Sequence, residues 1–433
     1  TPPAARQTGG AASLRAVARI AVDLTALRRS RDLRLLTIGQ ACSSLGTQAA
    51  LVALPYQVYV ETDSPLLVGL IGAVELVPNV LGSLLGGAWA DRVDRRRLML
   101  AAQAVLTLVA VLLVVLSALG AAHVAALFVL AAALAASGAV VNVTRAAAVP
   151  ALSGPYLRSA LAINFSVAQL ASIVGPGGGG LLISLAGVEA VYLLDAVAFA
   201  LMLALAVPIR PLPPTDADAE HPPIARSIAE GLRFVAANRA LLGSFVIDLA
   251  AMTFAMPRAL FPVLALTVYD AGASGTGLLY ASVSAGAVLA AVTTGWLERA
   301  RWLGRITIVS VVVWGAAIAL VGIAPSLWWA AALLALAGAA DSVSAVCRSV
   351  INQVVTPEHL RGRMSSVFML VVTSGPRLGD LRSGLAGSLL PVTAAVASGG
   401  LLCLAAVAVI AVAFPQLARY DSEREEARLG AAA

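Results

Sequence analysis

Five carboxylates and three guanidiniums interrupt stretches of this chain that are otherwise apolar: Glu75, Asp195, Asp248, Asp341 and Asp380 against Arg258, Arg377 and Arg382. An ionised group inside a membrane span costs about 3 kcal/mol or more unless it is paired or wet, so each is a functional candidate. The chemistry open to them is ion pairing and proton exchange, because a carboxylate in a poorly hydrated cavity can take up a proton from one side and release it to the other. Glu75 leads the candidates. It shares a small, polar stripe with Gly72, Asn79, Ser83 and Gly86, and no arginine lies within one turn of it along its own helix. Asp341 shares a face with Gly338, Ala345 and Arg348, and Asp248 lies in the inner third of its run. For all three the competing reading is a hydrogen-bonded packing group. Arg377 and Asp380, three apart, are expected to pair on one helix face. Asp195 is expected close enough to a helix end to reach water. Gln40, Ser44, Thr47 and Gln48 add a polar face suited to a wet cavity carrying both signs of charge.

Other chemistries are excluded by what the chain lacks. All 29 positive residues are Arg, so a Walker A loop and Schiff-base catalysis have no lysine to use. Cys42, Cys347 and Cys403, and His123, His221 and His359, are too scattered for a metal site, a disulfide or a hydrolase constellation. Neither a cofactor nor a metal is expected, and the chain does not read as an enzyme. The net charge of +6 comes from arginines beside apolar runs, which points to the lipid bilayer rather than to nucleic acid.

The elements that must position these groups are membrane helices. Of 433 residues 60% are hydrophobic and only 12% charged, with mean hydropathy +0.91. Apolar runs long enough to cross a bilayer occur at about 35–60, 65–90, 98–119, 124–148, 162–185, 188–208, 241–268, 276–297, 305–323, 326–350, 364–389 and 392–414. The reading is an all-α membrane protein of twelve transmembrane helices in two six-helix bundles. Loop arginines fall on one side and Glu61, Asp63, His123, Glu189 and Asp270 on the other, so both termini are expected in the cytoplasm. The first 32 residues are Arg-rich and lead into a full span, so no cleaved leader is expected.

The organisation predicted is a cytoplasmic segment 1–32, bundles 33–208 and 240–414, a linker 209–239 and a tail 415–433. Within the linker, Ile224, Ile228, Leu232 and Val235 fall on one helical face, as in a helix lying on the membrane surface. The segment 12–24 has similar character. The two halves also resemble each other: Val143, Arg145, Leu157, Arg158 and Phe165 align with Val346, Arg348, Leu360, Arg361 and Phe368, and WADR at 89–92 with WLER at 296–299. Duplicated six-helix units mark transporters whose site lies between the repeats.

GAWADRVDRRRLML (87–100) resembles the loop between spans two and three of the major facilitator superfamily, with Gly87, Asp91, Arg92, Arg95 and Arg96 in the family's pattern. Asp94 stands where that pattern has glycine, and Trp89 where leucine is usual. The resemblance covers essentially the whole chain and implies that fold. It implies that Asp91, whose carboxylate would otherwise face the negative end of its own helix, meets the N-terminus of span eleven and Arg145 when the cytoplasmic gate is shut. ASIVGPGGGG (171–180) is similar to the family's antiporter motif through Gly175, Pro176, Gly179 and Gly180, which implies export; Gly175 and Gly179 are expected to permit close packing at the outer gate.

The function expected is therefore proton-coupled export of amphiphilic small molecules, multidrug efflux, by alternating access in the bacterial inner membrane, the chain acting as a monomer. The alternative is a dedicated exporter of an endogenous metabolite such as a siderophore, with Arg258, Arg377 and Arg382 meeting an anion. A transport-dead receptor or a membrane enzyme ranks below both.

Overall fold

The computed structural model describes residues 25–214, 224–357 and 360–421, with backbone alone for 224–228, 298–299, 361–363 and 365–366. The segments 1–24, 215–223, 358–359 and 422–433 lie outside the described residues, and with them the amphipathic segment 12–24, His221, His359 and most of the tail. Twelve long helices run through the described part. They are α1 (Arg31–Thr62), α2 (Pro65–Ala90), α3 (Arg95–Ala118), α4 (Val124–Ser153), α5 (157–186), α6 (188–206), α7 (Arg239–Thr267), α8 (Gly272–Thr293), α9 (Leu303–Val321), α10 (Leu327–Val355), α11 (Arg361–Leu389) and α12 (Val392–Ala413).

Local chemistry sets their ends. Ser30, Ser64, Asn238 and Ser326 cap α1, α2, α7 and α10, each side-chain oxygen accepting from a first-turn amide. Asp94, the departure from the family pattern, caps α3: Oδ1 accepts from the Arg96 and Arg97 amides at 2.9 and 3.3 Å, and from Leu212 N at 3.3 Å, fastening the chain beyond α6. Between α5 and α6 the chain turns at Gly187, whose φ of 82° is one that glycine adopts freely.

Among the described residues, eight stretches are apolar and long enough to cross a membrane, one of them holding α4, α5 and α6 together; α1 and α11 are not among them. Their polarity has a cause. These two helices carry Gln40, Ser43, Thr47 and Gln48, and Arg377, Asp380 and Arg382 respectively, so their hydropathy reflects a wet face rather than lipid alone.

The predicted span 241–268 is not one helix. Within α7 the first helical part stops at Ala255, Met256 is extended, and Arg258–Leu260 form a 3-10 turn before helix resumes at Phe261. The Met256–Pro257 step explains this, since the residue before proline is driven out of helical geometry. In the linker, Ile224–Ala237 is helical and packs against α7 and α11. Val235 is buried there while Leu232 stays exposed, so the face predicted as one stripe is split.

Candidate functional site

Between the two helix sets lies a cavity of about 420 Å³. Its shape follows from where the halves touch. At the end of the bundle bearing Glu61 and Asp63, two pairs of helices meet backbone to backbone. A methyl group on Gly69 of α2 would lie 2.5 Å from Asp380 O and 2.7 Å from Gly384 Cα of α11; one on Gly180 of α5 would lie 2.5 Å from Ala273 O and 2.7 Å from Gly277 Cα of α8. At the opposite, arginine-rich end, Gly86 and Gly87 of α2 have only Val140 and Val143 of α4 as their nearest neighbours, from their own half. The described contacts between halves are thus made at the acidic end, and the cavity runs toward the arginine-rich one, reaching Gln40, Asn142 and Arg145.

These contacts correct the expectation for the antiporter motif. Gly175 and Gly179 pack on Gln48 and Ala49 of α1, within their own half, while Pro176 and Gly180 face Gly277 across the seam. The face opposite another half, a quarter-turn away, is the one that a side chain would prise open.

The cavity wall brings together the sequence candidates Glu75, Arg258, Arg377, Asp380, Gln40 and Asn79, with Arg145 at its rim, and Asp195 as well. Their pairing differs from expectation. Arg377 and Asp380 do not pair with each other. Asp380 takes a two-point contact from Arg258, with Nε donating at 3.3 Å to Oδ1 and Nη2 meeting Oδ2 more closely. Arg377 Nε lies 3.7 Å from Glu75 Oε2, an ion pair rather than a hydrogen bond. The reason is Gly72, where a methyl would stand 2.8 Å from Arg377 O and from Asp380 Cβ. Because α2 and α11 touch there, Glu75 one turn further reaches across to the other half. Sequence spacing along one helix could not reveal this partner. The broken segment of α7 supplies Arg258, and its freed carbonyl is satisfied by Tyr280, whose Oη donates at 3.1 Å. Arg382 points elsewhere, to Ser398 Oγ of α12 at 3.0 Å.

Asp248 and Asp341 line a different place. Arg348 of α10 contacts Asp248 of α7 closely and lies 3.5 Å from Asp341, with Arg348 and Asp248 only 6% and 5% exposed. Arg145, its counterpart in the sequence repeat, has no carboxylate partner among the described residues; its Nη2 donates to Asn142 Oδ1 at 3.0 Å.

Asp195 is where the sequence reading failed. It was placed near water at a helix end, yet it stands eight residues below Gly187, about 12 Å along α6, and is 3% exposed. It lines the cavity opposite Gly46 and Thr47. Tyr192 and Tyr280, also on the wall, carried no sequence signal.

At the gate, Asp91 is exposed and its carboxylate has no partner among the described residues. The side chains at the start of α11, its expected counterpart, lie outside the described set. Arg95 N donates to Leu212 O at 2.9 Å and Arg95 Nε to Ala90 O at 3.3 Å; Arg96 reaches Val207 O, while Arg92 is exposed.

A cavity between two bundles, sealed at one end by paired glycines, is the arrangement of a carrier. Residues 24–429 match the transmembrane secretion effector family. The chain belongs to that family, within the major facilitator superfamily. Its relatives include the enterobactin exporter EntS of Salmonella choleraesuis (strain SC-B67), 32% identical over 358 residues, covering 80% of this chain and 84% of the relative. EntS of Shigella boydii serotype 4 (strain Sb227) is 31% identical over 357 residues, covering 82% and 85%. Among solved structures, a bacterial homologue of the human lysosomal transporter Spinster, inward-facing and unoccupied, superposes with TM-score 0.70 at 15% identity, covering 92% of this chain and 97% of that one. The chain is a multi-pass membrane transporter of an exporter family, not an enzyme.

Proposed function

We propose that this chain exports a siderophore-type metabolite across the bacterial inner membrane by alternating access, driven by protons. The observation that carries the reading is the cavity itself: a polar wall with Arg145 beside the ion pairs Arg258–Asp380 and Arg377–Glu75 and the carboxyl of Asp195, and with amide and hydroxyl groups from Gln40, Ser44 and Asn79. Such a lining suits a cargo rich in hydroxyl, amide and acidic oxygen groups. The enterobactin exporters among its relatives support the same class.

The arginine-rich end faces the cytoplasm on the positive-inside rule, so the described state is open inward, ready to load cargo. An anionic cargo leaving through a membrane that is negative inside also gains about 2.3 kcal/mol per charge per 100 mV. In the opposite state the glycine seams part and Asp91 meets the N-terminus of α11. Multidrug efflux, the first expectation from sequence, ranks second. Tyr192, Phe199 and Tyr280 would give dyes an apolar contact, but the paired charges suit a polar cargo better.

Inverted membrane vesicles containing the chain test this. Enterobactin as probe should accumulate when a proton gradient is imposed, and ethidium should not. Accumulation of ethidium without enterobactin would replace this reading with the multidrug one.

A further inference from the structure

Among the described residues, Asp195 is the cavity carboxylate with no cation partner. Glu75 has Arg377, Asp380 has Arg258, and Asp248 and Asp341 share Arg348. The helices packed on α6 bring no counter-charge to its middle. α1 carries Arg31, Asp32, Arg34 and Glu61, and α3 carries Arg95, Arg96 and Arg97, all at helix ends; α6 itself adds only Glu189, near its start. The cavity's cations are Arg145 at the rim and Arg258 and Arg377, paired with Asp380 and Glu75.

Hydrogen bonding leaves Asp195 short as well. Its Oδ1 is buried without a partner. Tyr192, one turn away on the same helix, is the nearest hydroxyl of α6, and its Oη donates to Gln57 Oε1 at 2.8 Å. Gln57 in turn donates to Glu61 at 2.6 Å and Ser117 at 3.1 Å, so the tyrosine proton is committed to that string. The space for the carboxyl is specific: a methyl on Gly46 would stand 2.7 Å from Oδ1. A carboxylate anion in such a place has the Thr47 hydroxyl of α1 as its hydrogen-bond partner and no cation, whereas the acid form needs no counter-charge.

Resting on the export reading above, we propose that Asp195 is the group that carries the coupling proton, held between Gly46 and Thr47 of α1. The outward-open cavity supplies the proton from water to a carboxyl oxygen. When cargo enters the inward-open cavity, its hydroxyl or amide groups donate to the Asp195 carboxyl, the O–H bond breaks, the proton passes to cavity water, and the carboxylate left behind is held by those hydrogen bonds. Proton and cargo thus compete for one group, which is the requirement for exchange. The ion pairs of Glu75 with Arg377 and of Asp380 with Arg258 hold the wall.

Two measurements on the full chain test this. In the first, infrared difference spectra of purified protein across a pH jump, without cargo, should show the carbonyl band of a protonated carboxylic acid, and Asp195→Asn should remove it. Persistence of the band in Asp195→Asn, or its loss in Glu75→Gln instead, overturns the assignment. In the second, with enterobactin as probe in proteoliposomes, Asp195→Asn should lower the ratio of proton-driven accumulation to downhill counterflow at least tenfold, and Asp195→Glu should restore part of it with a displaced pH profile. An unchanged ratio in Asp195→Asn also overturns it. If wild-type protein moves no enterobactin, the export reading fails, while the infrared band still decides for or against Asp195.

Discussion

Arg145 and Arg348 descend from one position of the repeat and have opposite surroundings. Arg348 is closed between Asp248 and Asp341 and is 6% exposed; Arg145 touches only Asn142 and opens on the cavity. The register that aligns the two arginines sets Gly138 against Asp341, so the N-terminal half lacks that acid. Duplication kept the cation in both halves, and the difference lies in what was built around it. In the C-terminal half it braces α7 to α10. In the N-terminal half it is left for the cavity.

The largest effect should come from breaking the braced copy. Arg348→Ala leaves Asp248 buried without its cation, and removing one partner of a buried pair costs about 3–5 kcal/mol. Thermal unfolding in detergent should show a marked loss of stability, or the variant should fail to accumulate in the membrane. Unchanged unfolding would mean that Asp248 is not held by this pair. Arg145→Ala should do the reverse. Stability should change far less than in Arg348→Ala, since half-buried Arg145 leaves no buried carboxylate behind, while enterobactin transport falls several-fold.

A sharper test moves the missing acid. Gly138 has open space where a side chain would begin, so Gly138→Asp can place a carboxylate one helix face from Arg145 without a clash. It should capture Arg145 as Asp341 engages Arg348, and slow transport by a smaller factor than Arg145→Ala. Faster transport would show that a free cation is not what the cavity uses there. The smallest contrast lies in the motif of α5. Gly179→Ala presses on α1 within one half, where only packing suffers, whereas Gly180→Ala presses on Gly277 and should bias the carrier away from the described state. Crosslinking across the α5–α8 seam separates the two.

How much of this was legible in the sequence depends on whether the signal was local. Apolar runs, caps and the Gly187 turn are local, and the helices fall near their predicted positions. The break in α7 was local too, in Met256–Pro257, but was overlooked inside an apolar run. Partnerships are not local. Arg377 and Asp380 sit at a spacing that suggests a pair, yet backbone contact at Gly72 delivers Glu75 to one, and the broken α7 delivers Arg258 to the other. The span 188–208 starts where α6 does, so the depth of Asp195 was legible; its burial depends on α1 packing at Gly46, and its isolation on Tyr192 being engaged by Gln57, neither of which is local. Gly179 and Gly180 differ only by the helical turn that sends one to α1 and the other to α8.

The central claim is that the cavity opens toward the cytoplasm and receives a siderophore-type cargo there. Its most direct test is labelling of Gln40→Cys, in a background with Cys42, Cys347 and Cys403 replaced, by a membrane-impermeant maleimide applied to inverted and to right-side-out vesicles. Labelling from the cytoplasmic face only, slowed by enterobactin and not by ethidium, is the predicted result. Labelling from the opposite face, or protection by ethidium alone, would contradict it.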